Sequence, residues 1–267
     1  MRPSSSFTRY LGSAAVAAIL AIGLGGCQTA RSPDITGSLI ARAETAPDGA
    51  SRSEIDGYGE RYRANPRDAG AALRYGQSLR LNGQRQQAVA VLEQATIVNP
   101  GDKALMAAYG RALADNGNFQ QAFDILTRAH TPANPDWRIL SVQGTTLDQM
   151  GKHDEARRYY ASALKIVPEE PSVLSNLGLS YVLSKDLTKA EAVLRRAHAR
   201  GASDARVRQN LGLVVGLQGR FVEAESIVSA DLPADQAQAN VAYLKQMLSR
   251  DGARGPQTTS AASSSRS

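Results

Sequence analysis

An all-α solenoid, built from about five stacked helix pairs and closed by capping helices, is the fold class this chain predicts. Three observations predict it. Five glycines, Gly76, Gly110, Gly144, Gly178 and Gly212, recur at intervals of 34 residues. Five alanines, Ala88, Ala122, Ala156, Ala190 and Ala224, keep the same interval, each twelve residues after its glycine. The composition is low in aromatics, at 5%, and rich in small and aliphatic residues, which suits thin helices packed closely. A fixed period in this range marks a repeat in which each unit is one supersecondary element stacked on its neighbours. Such a stack is a platform for binding other molecules rather than for chemistry.

Residues 1–26 read as an address. Arg2 and Arg9 precede an uninterrupted apolar and small-residue run, Leu11 to Gly26. Sixteen residues are too few to cross a bilayer comfortably as a helix, which needs ~20, but they suit the apolar core of a signal peptide. The run ends in Leu24-Gly25-Gly26-Cys27, with the chain's only cysteine last. This resembles the lipobox of bacterial lipoproteins. The resemblance implies cleavage before Cys27, its lipidation, and a membrane anchor of more than one acyl chain. Gln28 after the cysteine favours, by analogy, sorting to the outer membrane, with the folded part facing the periplasm. An ordinary signal peptide with an incidental cysteine is the alternative.

Residues 27–52 then carry Ser, Ala, Thr, Pro, Asp and Gly with no apolar period, which predicts a flexible tether behind the lipidated cysteine. Residues 53–68 predict an N-terminal capping helix, the lone second helix of a degenerate repeat ending at Asn65-Pro66. The five repeats follow at 69–238, then a C-terminal capping helix at 239–250. That helix covers the apolar face of the last repeat, as a terminal unit requires. Residues 251–267 read as a disordered tail.

Charge and cysteine count exclude several classes. The formal net charge is +6; without Arg2 and Arg9, 29 basic side chains face 25 acidic ones, a net +4 with no basic run. Nucleic-acid binding, which needs Lys and Arg clustered on one face, is therefore not expected. A single cysteine excludes a disulfide framework and a cysteine-rich metal site. His130, His153 and His198 are scattered and read as solvated or partly packed helix residues. No phosphate-cradling loop, nucleophile elbow or metal-spaced His pair occurs, so neither catalysis, nor a cofactor, nor a metal is expected. Asp154-Glu155 and Glu169-Glu170 lie near helix starts, where the dipole is reason enough for them.

Within the repeats, units begin at Ala69, Lys103, Trp137, Pro171 and Ala205. Position seven is Tyr75, Tyr109, Gln143, Leu177 and Leu211; position eleven is Leu79, Leu113, Leu147, Tyr181 and Val215. Position 24 is Leu92, Leu126, Tyr160, Leu194 and Val228, and position 27 is Ala95, Ala129, Ala163 and Ala197. Pro100 and Pro168 stand at position 32. This pattern resembles the tetratricopeptide repeat (TPR) over about 170 residues. Position eight is expected to face position twenty, both small so that the helices approach closely. Gly83, Gly117, Gly151 and Gly219 should end first helices in a left-handed turn, with Lys185-Asp186 a less ideal turn in the fourth unit. Thr131-Pro132-Ala133-Asn134-Pro135 predicts a rigid break, and Asp231 before Leu232-Pro233 marks the end of the array.

The TPR resemblance implies a concave face lined by positions two, five, nine, twelve and thirteen of the first helices. Carried onto this chain, the early units offer Gln77, Arg80, Arg111, Asp115, Arg138, Thr145, Asp148 and Gln149. The later ones offer Leu179, Val182, Leu183, Arg206, Gln209 and Leu213. The groove is thus polar and partly cationic at one end and apolar at the other, suited to a peptide or helix with mixed side chains. A second reading, in which the capping helix covers Leu213 and Leu183 belongs to the core, stays open. The Lys/Asn clamp that grips a C-terminal carboxylate in some TPR proteins is not evident.

Lipobox, tether, about five repeats and the closing Asn240-Val241-Ala242-Tyr243-Leu244 together resemble the TPR lipoproteins of the tight-adherence (Tad/Flp) pilus system, the TadD-like family. That resemblance implies an outer-membrane accessory factor whose protein partners are the secretin or other pilus assembly components. Two alternatives remain: a pilotin-like or other envelope-assembly lipoprotein, and a regulator of a peptidoglycan synthase.

Overall fold

The computed structural model describes residues 51–201 and 204–253. Cys27, the expected signal peptide, residues 27–50 of the expected tether and residues 254–267 of the tail lie outside the described residues.

Twelve α-helices make up the described residues, and no strand occurs among them. They are α1 (Arg52–Ala64), α2 (Ala69–Leu81), α3 (Arg85–Val98), α4 (Lys103–Asp115), α5 (Phe119–Ala129) and α6 (Trp137–Gln149). Then come α7 (His153–Ile166), α8 (Pro171–Leu183), α9 (Leu187–Arg200), α10 (Ala205–Leu217), α11 (Phe221–Val228) and α12 (Ala234–Ala253). Ala69, Lys103, Trp137, Pro171 and Ala205 are each the first residue of a helix, so the register read from the period is the register of the fold.

What starts those helices is a third ladder of the same period. Asp68, Asp102, Asp136, Glu170 and Asp204 are the N-caps of α2, α4, α6, α8 and α10. The four aspartates accept backbone N–H bonds from Ala71, Leu105, Arg138 and Arg206 at 2.7–3.0 Å. Each satisfies a donor the helix itself leaves unpaired. Glu170 caps nothing with its side chain; Pro171 at the first helical position starts α8 instead.

Each first helix ends in one repeated turn. Gly83, Gly117, Gly151 and Gly219 adopt φ of +75° to +86°, and Lys185 adopts +63° in the same place. The N–H of the following residue then donates to the carbonyl at position eleven, as in Gln84 to Leu79 and Asp186 to Tyr181, both 2.9 Å. This is the Schellman geometry, and it turns the chain directly into the second helix. Second helices stop ahead of Pro100 and Pro168, and Thr131 and Asn134 pair across the expected break.

The core fills between the two helices of a pair. The ladder alanines and the side chains of position 24 from Leu92 to Leu194 are fully shut off from solvent. The glycine ladder comes up against the alanine ladder and, closer still, against the side chain at position 24. A Cβ built on Gly110 would stand 2.6 Å from Leu126 Cγ, and one on Gly144 2.5 Å from the Tyr160 ring. Position eight therefore makes room for the side chain at position 24, while the carbonyl oxygens of Ala122 and Ala224 at position twenty lie 3.5 and 3.4 Å from the Cβ sites of Gly110 and Gly212. The contact is a side chain seated over bare backbone, closer than any Cβ would permit.

Packing between pairs is asymmetric. Each first helix touches the next first helix, α2 to α4, α4 to α6, α6 to α8, α8 to α10, and α10 to α12. Second helices stand farther apart and meet through long side chains, as in Phe123 edge-on to Tyr159 at 5.6 Å and Arg195 paired with Glu223 at 2.8 Å. The touching row is the inner layer of the stack. At its end, α12 takes the place of a sixth first helix: Leu244 seats over Gly216, and Ala237 is fully buried. It starts at Ala234 rather than Ala239, because the Pro233 carbonyl already accepts from Ala237 N–H at 3.0 Å, and it runs on to Ala253. Asp231 is more than a lost small residue: its carboxylate pairs with Arg208 Nε at 2.7 Å, both groups largely buried.

Candidate partner-binding face

The inner row carries the sequence-predicted groove positions. Gln77, Arg138, Gln149 and Arg206 are exposed, while Thr145, Leu179, Val182, Leu183, Gln209 and Leu213 are half-buried. Val182 packs against the core cluster around Leu211 and Val215, and the Thr145 hydroxyl donates back to the Val142 carbonyl at 2.9 Å. Arg80 and Asp115 are brought together across α2 and α4 as an ion pair of 2.8 Å.

Asp148 is a correction. It is 7% exposed and engaged internally. Its Oδ2 accepts from the Tyr160 hydroxyl at 2.9 Å; its Oδ1 accepts from Ser180 Oγ at 2.8 Å and lies 2.8 Å from His153 Nδ1. The reason is Tyr160, the one tyrosine at position 24, whose hydroxyl reaches past Gly144 to position twelve. Burial, reinforced by the Asp148 charge, holds the Tyr160 hydroxyl well above its ordinary pKa. Asp148 therefore stabilises a junction and offers no partner contact.

The early end of the face gathers charge around Arg111, a half-buried residue of α4. Burial, with the charge of Arg80 next, lowers its pKa; Asp136 and Asp115 oppose this and Arg138 adds to it. Its Nε is buried and meets no hydrogen-bond partner among the described residues. Arg138 stacks its guanidinium 4.5 Å from the centroid of the Trp137 ring.

Two cross-helix bonds at the middle of the row are new. Asn176 donates to Ser141 Oγ at 3.1 Å, and Asn210 to Ser175 Oγ at 2.8 Å. They are the same bond one repeat apart, and the 34-residue spacing of both Ser–Ser and Asn–Asn is their signature in the chain. On the other side, Ile97, Met106, Tyr109 and Ile125 line a shallow apolar cleft of about 240 Å³ between α3, α4 and α5. Among the described residues no group of three or more His, Cys, Asp or Glu is placed to hold a metal ion, and no helix is long and apolar enough to cross a membrane.

Two family models match, both described as tetratricopeptide repeat, one over residues 79–143 and the other over 142–205. Among solved structures, the Cut9–Hcn1 heterotetramer of the APC/C is similar with a TM-score of 0.62 at 17% identity, over 81% of this chain and 42% of that one. This chain thus spans less than half of the length of that relative. TTC0263, a thermophilic TPR protein of Thermus thermophilus, gives 0.59 at 22% identity, over 67% of this chain and 99% of that one. PilF of Pseudomonas aeruginosa gives 0.54 at 18%, over 69% and 86%. At such identities these likenesses concern the fold alone. No curated protein matches the chain.

Proposed function

We propose, for a chain whose repeats across 79–205 are tetratricopeptide repeats, a scaffold that holds protein partners along its row of first helices and serves a bacterial envelope machine. The observation that carries this is the continuous inner row from α2 to α12, with exposed polar side chains such as Gln77, Arg138 and Gln149 arrayed on it. An extended or helical segment laid along such a row meets one set of side chains per repeat.

The finer reading rests on sequence. Leu24-Gly25-Gly26-Cys27 supports a lipid anchor at Cys27, and Gln28 supports the outer membrane, with the repeats in the periplasm. The closing Asn240 to Leu244 stretch supports the tight-adherence (Tad/Flp) pilus apparatus, whose secretin this chain would help to assemble or place.

Photo-crosslinking in the native envelope tests it, with probes at Gln77 and Gln149. Capture of a secretin or another pilus component from both positions supports the reading. Capture of a peptidoglycan synthase moves the function to cell-wall control, and crosslinks from Ile97 in place of both inner positions count against the inner row as the binding face. Cys27→Ser should abolish acyl labelling and release the chain from membranes; undiminished retention removes the anchor from the proposal.

A further inference from the structure

On the inner row, Arg111 carries a buried donor that meets no hydrogen-bond partner among the described residues. Arg80 on α2 and Arg138 on α6 both come within electrostatic range of Arg111 on α4, together with Asp115 and Asp136. Four of these five groups are engaged. Arg80 and Asp115 form an ion pair at 2.8 Å. Asp136 accepts from the Arg138 backbone N–H at 2.7 Å as the cap of α6. Arg138 lies over the Trp137 ring. Arg111 remains. Its Nε is buried without a partner, while its terminal nitrogens are not shut off in this way. The guanidinium has lost part of its water, has gained no acceptor for Nε, and faces two like charges. Leaving a charged group short of acceptors in a half-buried position is costly, and a carboxylate that reaches its open terminal nitrogens offsets part of that cost.

We propose that Arg111 receives one carboxylate of an acidic residue within a partner segment laid along the first helices, an inference that rests on the binding face described above. The charge balance selects this occupant. Three cations against two carboxylates leave a local excess of one positive charge. That suits a single carboxylate, held by the guanidinium's fork of donors. Asp115 and Asp136 flank the position and oppose a polyanion, so neither a phosphodiester backbone nor a phosphorylated side chain is favoured over Asp or Glu.

The test uses the full chain as bait for a phage-displayed library of random peptides. Selected peptides should be enriched in Asp or Glu. In the tightest of them, replacing that residue by its amide should weaken binding to the wild-type chain about tenfold, the effect of one charge-assisted hydrogen bond. The acid and amide twins should bind Arg111→Met within about twofold of each other, and Arg111→Lys should restore only part of the preference. The twin comparison on the wild-type chain needs no variant, so a misfolded Arg111→Met does not silence the test. Peptides that lose binding to Gln77→Trp and Gln149→Trp yet bind equally as acid and amide overturn the carboxylate inference and leave the inner row as the binding face. Peptides indifferent to Gln77→Trp, Gln149→Trp and Arg111→Met overturn both. A phosphoserine twin that outbinds the glutamate peptide overturns the single-carboxylate occupant.

Discussion

The Tyr160 hydroxyl donates to Asp148 Oδ2 at 2.9 Å across the interior of the third helix pair, and neither side chain has a comparable counterpart in the other units. The bond fastens the second helix of that pair to the face that would otherwise bind a partner. Through Ser180 it also fastens the pair to α8. Tyr160→Phe should keep the ring over Gly144 and remove one donor from a buried carboxylate, a loss of about 1–2 kcal/mol. Denaturant melts of the two chains check it; coincident midpoints would mean that the bond contributes nothing.

Lys185 holds the left-handed turn that glycine occupies in the other four units, at φ +63°. Its side chain is exposed. Lys185→Gly should therefore relieve backbone strain with little else altered and raise stability by about 0.5 kcal/mol, since relief of the strain exceeds the added freedom of the unfolded chain. A lower melting temperature would show that the turn is not strained.

Gly110→Ala places a Cβ 2.6 Å from Leu126 Cγ. The Leu126 side chain is fully buried, so it has nowhere to retreat, and the change should cost about 1–3 kcal/mol. Adding Leu126→Val should recover part of that loss. A double-mutant cycle measures the recovery, and strict additivity would break the proposed contact between positions eight and 24.

Glu191 sits among Arg195, Arg220 and Gln218, with Arg220 Nη1 at 2.8 Å from both of its oxygens. Burial pushes its carboxyl up, but the bonds from Arg220, Gln218 and Arg195 prevail and draw it from 4.5 down to about 2. A depressed folded pKa means stability that is fully present above pH 4.5 and lost as pH falls toward 2. The melting temperature of Glu191→Gln should thus lie below that of the parent chain near neutral pH, with the gap closing over that window. A gap of constant size down to pH 2 would exclude the carboxylate as its source.

Much of this architecture was legible because each repeat obeys the same few steric rules. The 34-residue period located every first helix, since the small residue of position eight and the start of the helix are bound to one register. The capping ladder of Asp68, Asp102, Asp136, Glu170 and Asp204 stands at the same spacing and was equally open to reading. Asp148 was not legible. A positional template places it on the open face, and only the height of a tyrosine at position 24 brings it inside. The tightest partner of the position-eight glycines was likewise beyond the pattern: small residues at two periodic positions suggest that they meet, but not that a bulky side chain four residues on seats against the glycine as well. For Arg111, spacing identified the face, but only the folded packing decides which of its donors goes unanswered.

The first helices lie close against one another along the whole row, whereas the second helices are joined by side chains such as Arg195 and Glu223. Pulled along its axis, such a stack lengthens by fanning open its outer edge, where only contacts between side chains have to give, while the inner edge acts as a continuous hinge line. The array therefore behaves as a spring with one stiff edge. It yields elastically under tension through changes of pitch before any helix pair comes apart, and what lies along the stiff edge keeps its spacing while the rest flexes.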